Sequence, residues 1–216
     1  MYRTCIKEAS KEYEEKKSVF IGQIKRVYTE KEAKEFIDKT RKKHREASHN
    51  PFAYTLGEKK LIMRYSDDGE PQGTAGMPIL TCINNKDITD VVVVVTRYFG
   101  GTLLGAGGLV RAYTKASSLV IDESGIIEVV EGVEIGIVMN YDLLGKFQHS
   151  FSENEIHIEN IVYTDKVKII CLVEARRVDF IKKIASEISN GKCGISAEEE
   201  KKYFKSGNRL FLNLSE

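Results

Sequence analysis

Five valines in a row, Val91–Val95, limit what this chain can fold into more than any other segment. Valine is stiff at χ1 and fits the pleated backbone of a strand. The run does not alternate with polar residues, so the strand is expected to be buried on both faces. Other layers of the molecule must then cover it from either side. After Thr96 the composition turns to Arg97-Tyr98-Phe99-Gly100-Gly101-Thr102-Leu103-Leu104-Gly105-Ala106-Gly107-Gly108. A helix over 108–121 follows, with Leu109, Ala112, Tyr113, Ala116 and Leu119 at helical spacing on its buried side. Arg111 and Lys115 lie one turn apart on another face.

The elements before this unit read as a strand over 18–28 and a helix over 30–45. Thr29 is placed as N-cap with Glu32 three residues on. Ala33, Phe36, Ile37 and Thr40 form the buried stripe, and the basic run Arg41–Arg45 closes the helix where cations suit its dipole. Segments 51–56 and 60–65 predict a hairpin near Gly57. The acidic, proline-interrupted stretch Ser66–Gly73 is a loop. A short helix over 74–83 is expected, capped by Thr74. Residues 122–131 mark a boundary between domains 1–125 and 132–216. Beyond it the order is a strand at 133–139, a helix at 141–151, strands at 156–163 and 166–174, a helix at 177–190 stopped by Gly191, and an extended end. That β-α-β-β-α-β order predicts a ferredoxin-like split unit with helices on one face of a small sheet. The fold class is therefore α+β in two domains.

Composition narrows the function classes. Hydrophobic residues make up 42% and charged residues 30%, a globular balance. Net charge is +1, so no global field recruits nucleic acid or membrane. Residues 1–125 carry 21 basic against 17 acidic side chains, while the remainder carries 12 against 15, so an anionic partner should favour the first domain. Cys5, Cys82, Cys171 and Cys193 form no C-x-x-C pair, and four scattered thiols suit a reducing cytoplasm. No apolar stretch approaches the ~20 residues that cross a bilayer, and the first residues lack the apolar centre of a signal peptide.

Two segments carry candidate chemistry. In the first, Gly100, Gly101, Gly105, Gly107 and Gly108 would let backbone amides approach a ligand at the start of a helix. Arg97 and Arg111 would supply charge, and Tyr98 and Phe99 would supply aromatic contacts. Neither G-x-x-x-x-G-K-[ST] nor G-x-G-x-x-G is matched, and the same glycines would equally serve tight turns and close helix–strand packing. In the second, Asp67, Asp68 and Glu70 would bind a divalent cation or act as acid and base, or simply brace a solvated turn through backbone amides. The spacing fits no EF-hand loop. His44 and His49 lack the i, i+4 spacing of a helical zinc site, Cys82 has no readable base partner, and no G-x-S-x-G elbow is present. The run 41–45, with Lys25, Arg26, Lys59 and Lys60, offers a basic face. No cofactor is implied.

The pieces SDDGEPQGTAGMPIL at 66–80 and VVVVVTRYFGGTLLGAGGLVRAY at 91–113, with HNPFAYTLG at 49–57, resemble the signature of the YigZ/IMPACT family. Pro51 departs from the small or polar residue expected there. The resemblance covers roughly residues 18–122, and the second half resembles the bacterial members' second domain in pattern only. It implies an N-terminal α+β domain similar to a domain of a small-subunit ribosomal protein and to part of elongation factor G. It also implies a C-terminal domain similar to the last domain of that factor. Eukaryotic relatives regulate translation under amino-acid stress by competing for a scaffold that activates a kinase of the initiation machinery. Two-domain members without an N-terminal partner-binding module are bacterial in type.

Three functions follow as expectations. One is a non-catalytic, translation-linked module binding RNA or the ribosome. Another is a regulator that binds a protein of the translation machinery without nucleic acid, anchored by Tyr98 and Phe99 if they are exposed. The last is an enzyme on a phosphorylated ligand, with metal on the acidic loop and phosphate on the glycine segment, which requires both to line one cleft; the fold family's small-molecule kinases keep this reading in play. The binding readings rank above the enzyme, and no membrane partner is expected.

Overall fold

The valine strand sits at the centre of an antiparallel sheet with helices on both faces. The computed structural model describes residues 1–214. The chain divides into two compact units, Tyr2–Ile127 and a second that runs on from Glu128. The first contains β1 (Tyr2–Cys5), β2 (Ala9–Glu15), β3 (Ser18–Arg26), α1 (Glu30–Lys43), β4 (Phe52–Leu56), β5 (Ile62–Ser66), α2 (Gly76–Asn85), β6 (Val91–Tyr98) and α3 (Gly105–Ser124). Its sheet order is β2-β3-β6-β4-β5, with Val93 opposite Ile24 on one side and Ala53 on the other. All five valines are fully buried. Val91, Val93 and Val95 pack with Ile79 and Ile83 of α2 and Tyr113, Ala116 and Val120 of α3. Val92 and Val94 face the other way, onto Ala33, Phe36 and Ile37 of α1. Each buried valine contributes roughly 1.5–3 kcal/mol, so β6 is the sheet's main hydrophobic beam.

Local signals explain the helix bounds. Thr29 accepts from the Glu32 amide at 3.2 Å, and the Glu32 carboxylate accepts from the Tyr28 amide at 2.8 Å, closing the box at the start of α1. Ala33, Phe36, Ile37 and Thr40 are its buried residues, as the spacing predicts. Helix α2 departs from expectation. Thr74 does not cap it; its hydroxyl donates to the Pro71 carbonyl at 2.6 Å. The cap is Asp67, whose carboxylate accepts from the amides of Gly73, Ala75 and Gly76 at 2.9, 3.0 and 2.8 Å. Helix α3 begins three residues earlier than predicted and absorbs Gly105, Gly107 and Gly108 into its first turn. Leu119 is only half-buried, while Val120 and Ile121 are fully enclosed.

The second unit holds most of β7 (Ile126–Met139), then α4 (Leu144–Glu153), β8 (Ile158–Tyr163), β9 (Val167–Glu174), α5 (Val178–Ser189), β10 (Gly194–Ala197), β11 (Lys201–Ser206) and β12 (Arg209–Phe211). Short 3-10 turns at Tyr141–Leu143 and Ala175–Arg177 lead into α4 and α5. β10, β7, β9 and β8 lie side by side, all antiparallel, which is the ferredoxin-like arrangement. One face carries a core of Ile135, Ile137, Ile169 and Cys171 under Phe147, Phe151 and Ile181. The hairpin β11–β12 extends the sheet along the first half of β7, with Tyr203 opposite Val130. Residues 126–131, read from sequence as a connecting boundary, are therefore strand.

Candidate functional site

Each carboxylate of the acidic loop has a partner. Asp67 holds the start of α2. Asp68, at φ 48°, accepts from the Arg41 guanidinium at 2.5 Å and the Asn50 amide at 2.7 Å. Its carbonyl meets His49 Nδ1 at 2.8 Å. A carbonyl can only accept, so the His49 proton sits on Nδ1. Glu70 is buried, and its Oε1 receives both Arg97 Nη1 and the Tyr113 hydroxyl at 2.7 Å each. Burial, reinforced by the Glu70 charge, pushes the Tyr113 phenol far above its ordinary value, so it remains a donor. The loop is thus fastened to α1, α2, α3 and β6, and its carboxylates are engaged in that fastening rather than turned toward a shared cation.

Arg97 is 6% exposed. Its guanidinium carbon lies 5.5 Å from the ring centres of both Phe20 and Phe99. Its Nε has no hydrogen-bond partner among the described residues. Phe20 in turn meets Tyr113 edge-on at 5.2 Å. Arg97, expected from the sequence to supply charge at the glycine segment, is paired with Glu70, which balances that charge. Arg111 does not join it. That side chain is exposed and lines a separate cleft with Lys16, Lys115, Glu15 and Tyr13.

The two segments nonetheless meet. A cavity of about 480 Å³ is lined by Glu70 and Pro71 of the acidic loop, by His49 and Arg97, and by Phe99, Leu103, Leu104, Gly105, Ala106 and Leu109. Phe99 is 48% exposed and Leu103 84% exposed. Tyr98 points elsewhere: half-buried, its hydroxyl meets His44 Nδ1 at 2.9 Å. The glycines split by role. Gly100 is pressed onto the turn that leads into β3, where a Cβ would fall 2.0 Å from the Lys17 backbone, so it is a packing residue. Gly101 lies at φ 81° in the turn, and Gly105, at φ 69°, opens α3. Within the basic run, Arg41 is tied to Asp68 and His44 is buried, leaving Lys42, Lys43 and Arg45 exposed. Sequence reasoning missed Tyr113 as the third member of the buried cluster, because its helical spacing announced only core. It also missed Leu103, whose signal was a leucine stranded among turn residues.

Two family models match the chain. The Impact N-terminal domain covers residues 16–121, and a domain of unknown function (DUF1949) covers residues 137–192. The IMPACT family member YvyE of Bacillus subtilis is 40% identical over 183 residues, which is 85% of this chain and 84% of that protein. The chain belongs to the IMPACT family. The IMPACT family member YigZ of Escherichia coli is 31% identical over 86% of this chain and 92% of that protein. A crystal structure of a hypothetical protein superposes with a TM-score of 0.59 at 28% identity, covering 93% of this chain and 98% of that one. The residues that line the cavity all fall within the span matched by the Impact N-terminal domain. None of the described helices is long and apolar enough to cross a membrane.

Proposed function

We propose that this IMPACT-family chain is a non-catalytic, translation-linked binding module whose N-terminal domain holds a partner protein at the Glu70–Arg97 cleft. One observation carries the reading. The ionic groups of the cleft floor are neutralised by one another, while Phe99 and Leu103 stand exposed at its rim. Aromatic side chains such as Phe99 are enriched at protein interfaces, and Leu103 adds exposed apolar surface beside it. The link to translation rests on the family resemblance. The enzyme reading loses support because Asp67 and Asp68 are occupied by backbone amides and Arg41.

A second reading, RNA or ribosomal RNA, is favoured by the separate cleft that gathers Lys16, Arg111 and Lys115. Salt separates the two. Phosphate contacts release counterions, so such binding falls steeply between about 50 and 200 mM salt. Apolar anchoring does not. The test is co-sedimentation with ribosomes and pull-down of translation factors across that salt range, for wild type and for Phe99→Ala with Leu103→Ala. Retention at high salt with loss in the double variant is the expected outcome. Salt-sensitive binding that survives those changes but is lost on removing Lys16, Arg111 and Lys115 would transfer the function to RNA. Absence of any association overturns both.

A further inference from the structure

Strand β2 and helix α3 pack against each other, and their seam treats charge differently at its two ends. At one end Lys11 of β2 donates to Glu123 of α3 at 3.1 Å, so opposite charges meet. At the other end Lys16, Arg111 and Lys115 line one cleft with Glu15, Tyr13 and Leu104. None of these three cations has an ion-pair or side-chain hydrogen-bond partner among the described residues. The carboxylate beside them is engaged on its own strand: Glu15 Oε2 accepts from the Tyr13 hydroxyl at 2.6 Å. Two local preferences are broken to keep the cations there. Arg111 and Lys115 stand four residues apart on a helix, where like charges repel. Lys16 and Lys17 form the two-residue turn between β2 and β3 at φ 47° and 66°. Such a left-handed turn favours Asn-Gly, and a lysine in it is strained. Breaches of local preference that converge on one cleft point to a function held there against stability.

We infer that the Lys16–Arg111–Lys115 cleft is a receptor for a terminal phosphate monoester. Charge selects the class. Three cations against one carboxylate leave a surplus of two positive charges. A phosphate monoester brings about −1.5 to −2, which matches that surplus, whereas an internal phosphate of a nucleic-acid strand brings a single negative charge. Shape agrees. The cleft holds about 260 Å³, below the roughly 300–1,000 Å³ of pockets that enclose whole small ligands. It therefore takes a headgroup and leaves the rest of the ligand outside. The planar guanidinium of Arg111 suits two phosphate oxygens at once, and the lysines act as point charges around them. The same chemistry is offered by the 5′-phosphate end of an RNA and by a small phosphorylated molecule. This inference rests on the RNA reading only for the idea that the cleft attracts anions, and it involves no atom of the Glu70–Arg97 cleft.

The test titrates the full chain by calorimetry and by amide chemical shifts at one fixed salt concentration. The probes are a short RNA with a 5′-phosphate, the same RNA with a 5′-hydroxyl, adenosine 5′-monophosphate and adenosine. The phosphate forms should bind about tenfold or more tighter than the hydroxyl forms, the worth of one charge-assisted hydrogen bond. Binding of the phosphorylated RNA but not the nucleotide identifies an RNA end as the source; binding of both equally identifies a small phosphorylated ligand. Lys16→Gly separates function from folding. Glycine relieves the turn at φ 47°, so the variant should melt at or above the wild-type temperature while binding the phosphate forms about threefold or more weaker, as loss of one exposed charge contact does. Arg111→Gln, at an exposed helix position, should weaken them by at least as much. Equal affinity for phosphate and hydroxyl forms, no binding of any probe, or unchanged affinity in both variants overturns the inference. Equal binding of the two RNAs that is lost in Lys16→Gly keeps the RNA reading and removes the terminal phosphate. Partner capture through Phe99 and Leu103 without phosphate selectivity leaves the proposed function standing and removes this one; phosphate selectivity without partner capture does the reverse.

Discussion

Arg97 is the residue on which the first domain turns, and its situation is unusual because it has no water to fall back on. Its side chain is 7% exposed and that of Glu70 is 3% exposed. Breaking such a pair strands a charge inside the protein, which costs about 3–5 kcal/mol, whereas replacing both members with apolar groups is often neutral. Glu70→Ala should therefore lower the urea midpoint by an amount equivalent to that range with an unchanged slope. Arg97→Met combined with Glu70→Leu should recover most of the loss. A Glu70→Ala cost below about 1 kcal/mol would mean that the floor is wetter than its geometry indicates. His44 makes a pH-dependent prediction. Burial, with Lys43 as a smaller cause, lowers its pKa from 6.5, and its Nε2 is buried without a partner among the described residues. The unfolded chain then binds a proton more readily than the folded one as pH drops below 6.5. Stability from this group is present above that pH and is lost as pH falls through the depressed value. Chemical denaturation at a series of pH values should show this slope in wild type, and His44→Gln should flatten it.

At the scale of elements, the glycines give opposite expectations that a sequence motif alone cannot separate. Gly100→Ala forces a Cβ into the Lys17 backbone and should destabilise by about 1–3 kcal/mol, as overpacking does. Gly107→Ala meets only the tip of Arg111 at 3.7 Å, so it should stabilise the start of α3 by about 0.5–1 kcal/mol. A pair of thermal melts decides both. The elements most legible in the sequence were those whose burial is periodic: β6, the stripe of α1 and the βαββαβ order of the second unit. β2 was hidden because it is an edge strand whose Lys11, Glu12 and Glu14 face water, which reads as a charged run. The cap of α2 was hidden because Asp67 reaches Gly76 across nine residues, and local cap rules look only three ahead. The cleft was half legible. Its two segments stood out in the sequence, but the ion pair that joins them spans 27 positions and only folding brings it together.

For the whole molecule, the relevant fact is that the hydrophobic clusters respect the division of the chain. Both clusters around β6 draw only on residues up to Ile126, and the cluster beneath α4 and α5 draws only on residues from Val133 onward. A fragment of residues 1–127 should accordingly fold alone and melt in one cooperative transition by circular dichroism, and it should retain the cleft. A fragment that stays unfolded would show that the first core is insufficient by itself. The uneven charge of the two halves also has a physical place, since the surplus of cations falls in the unit that contains the Lys16–Arg111–Lys115 cleft.

The contact between Gly100 and Lys17 reaches further than its energy. Lys16 and Lys17 form the hairpin turn between β2 and β3, both at positive φ, and the strand that leads to Phe99 is laid directly across that turn. Hairpin tips are commonly where chains gain and lose residues. This one has no such freedom: a lengthened tip would lift Gly100, and with it the aromatic ring over Arg97. The tip at Gly207, where a Cβ would meet nothing within 4 Å, carries no such restriction. An engineer placing a fluorescent label or an epitope in this protein should therefore choose the second tip, and should read any length change at the first as a change to the mouth of the cleft.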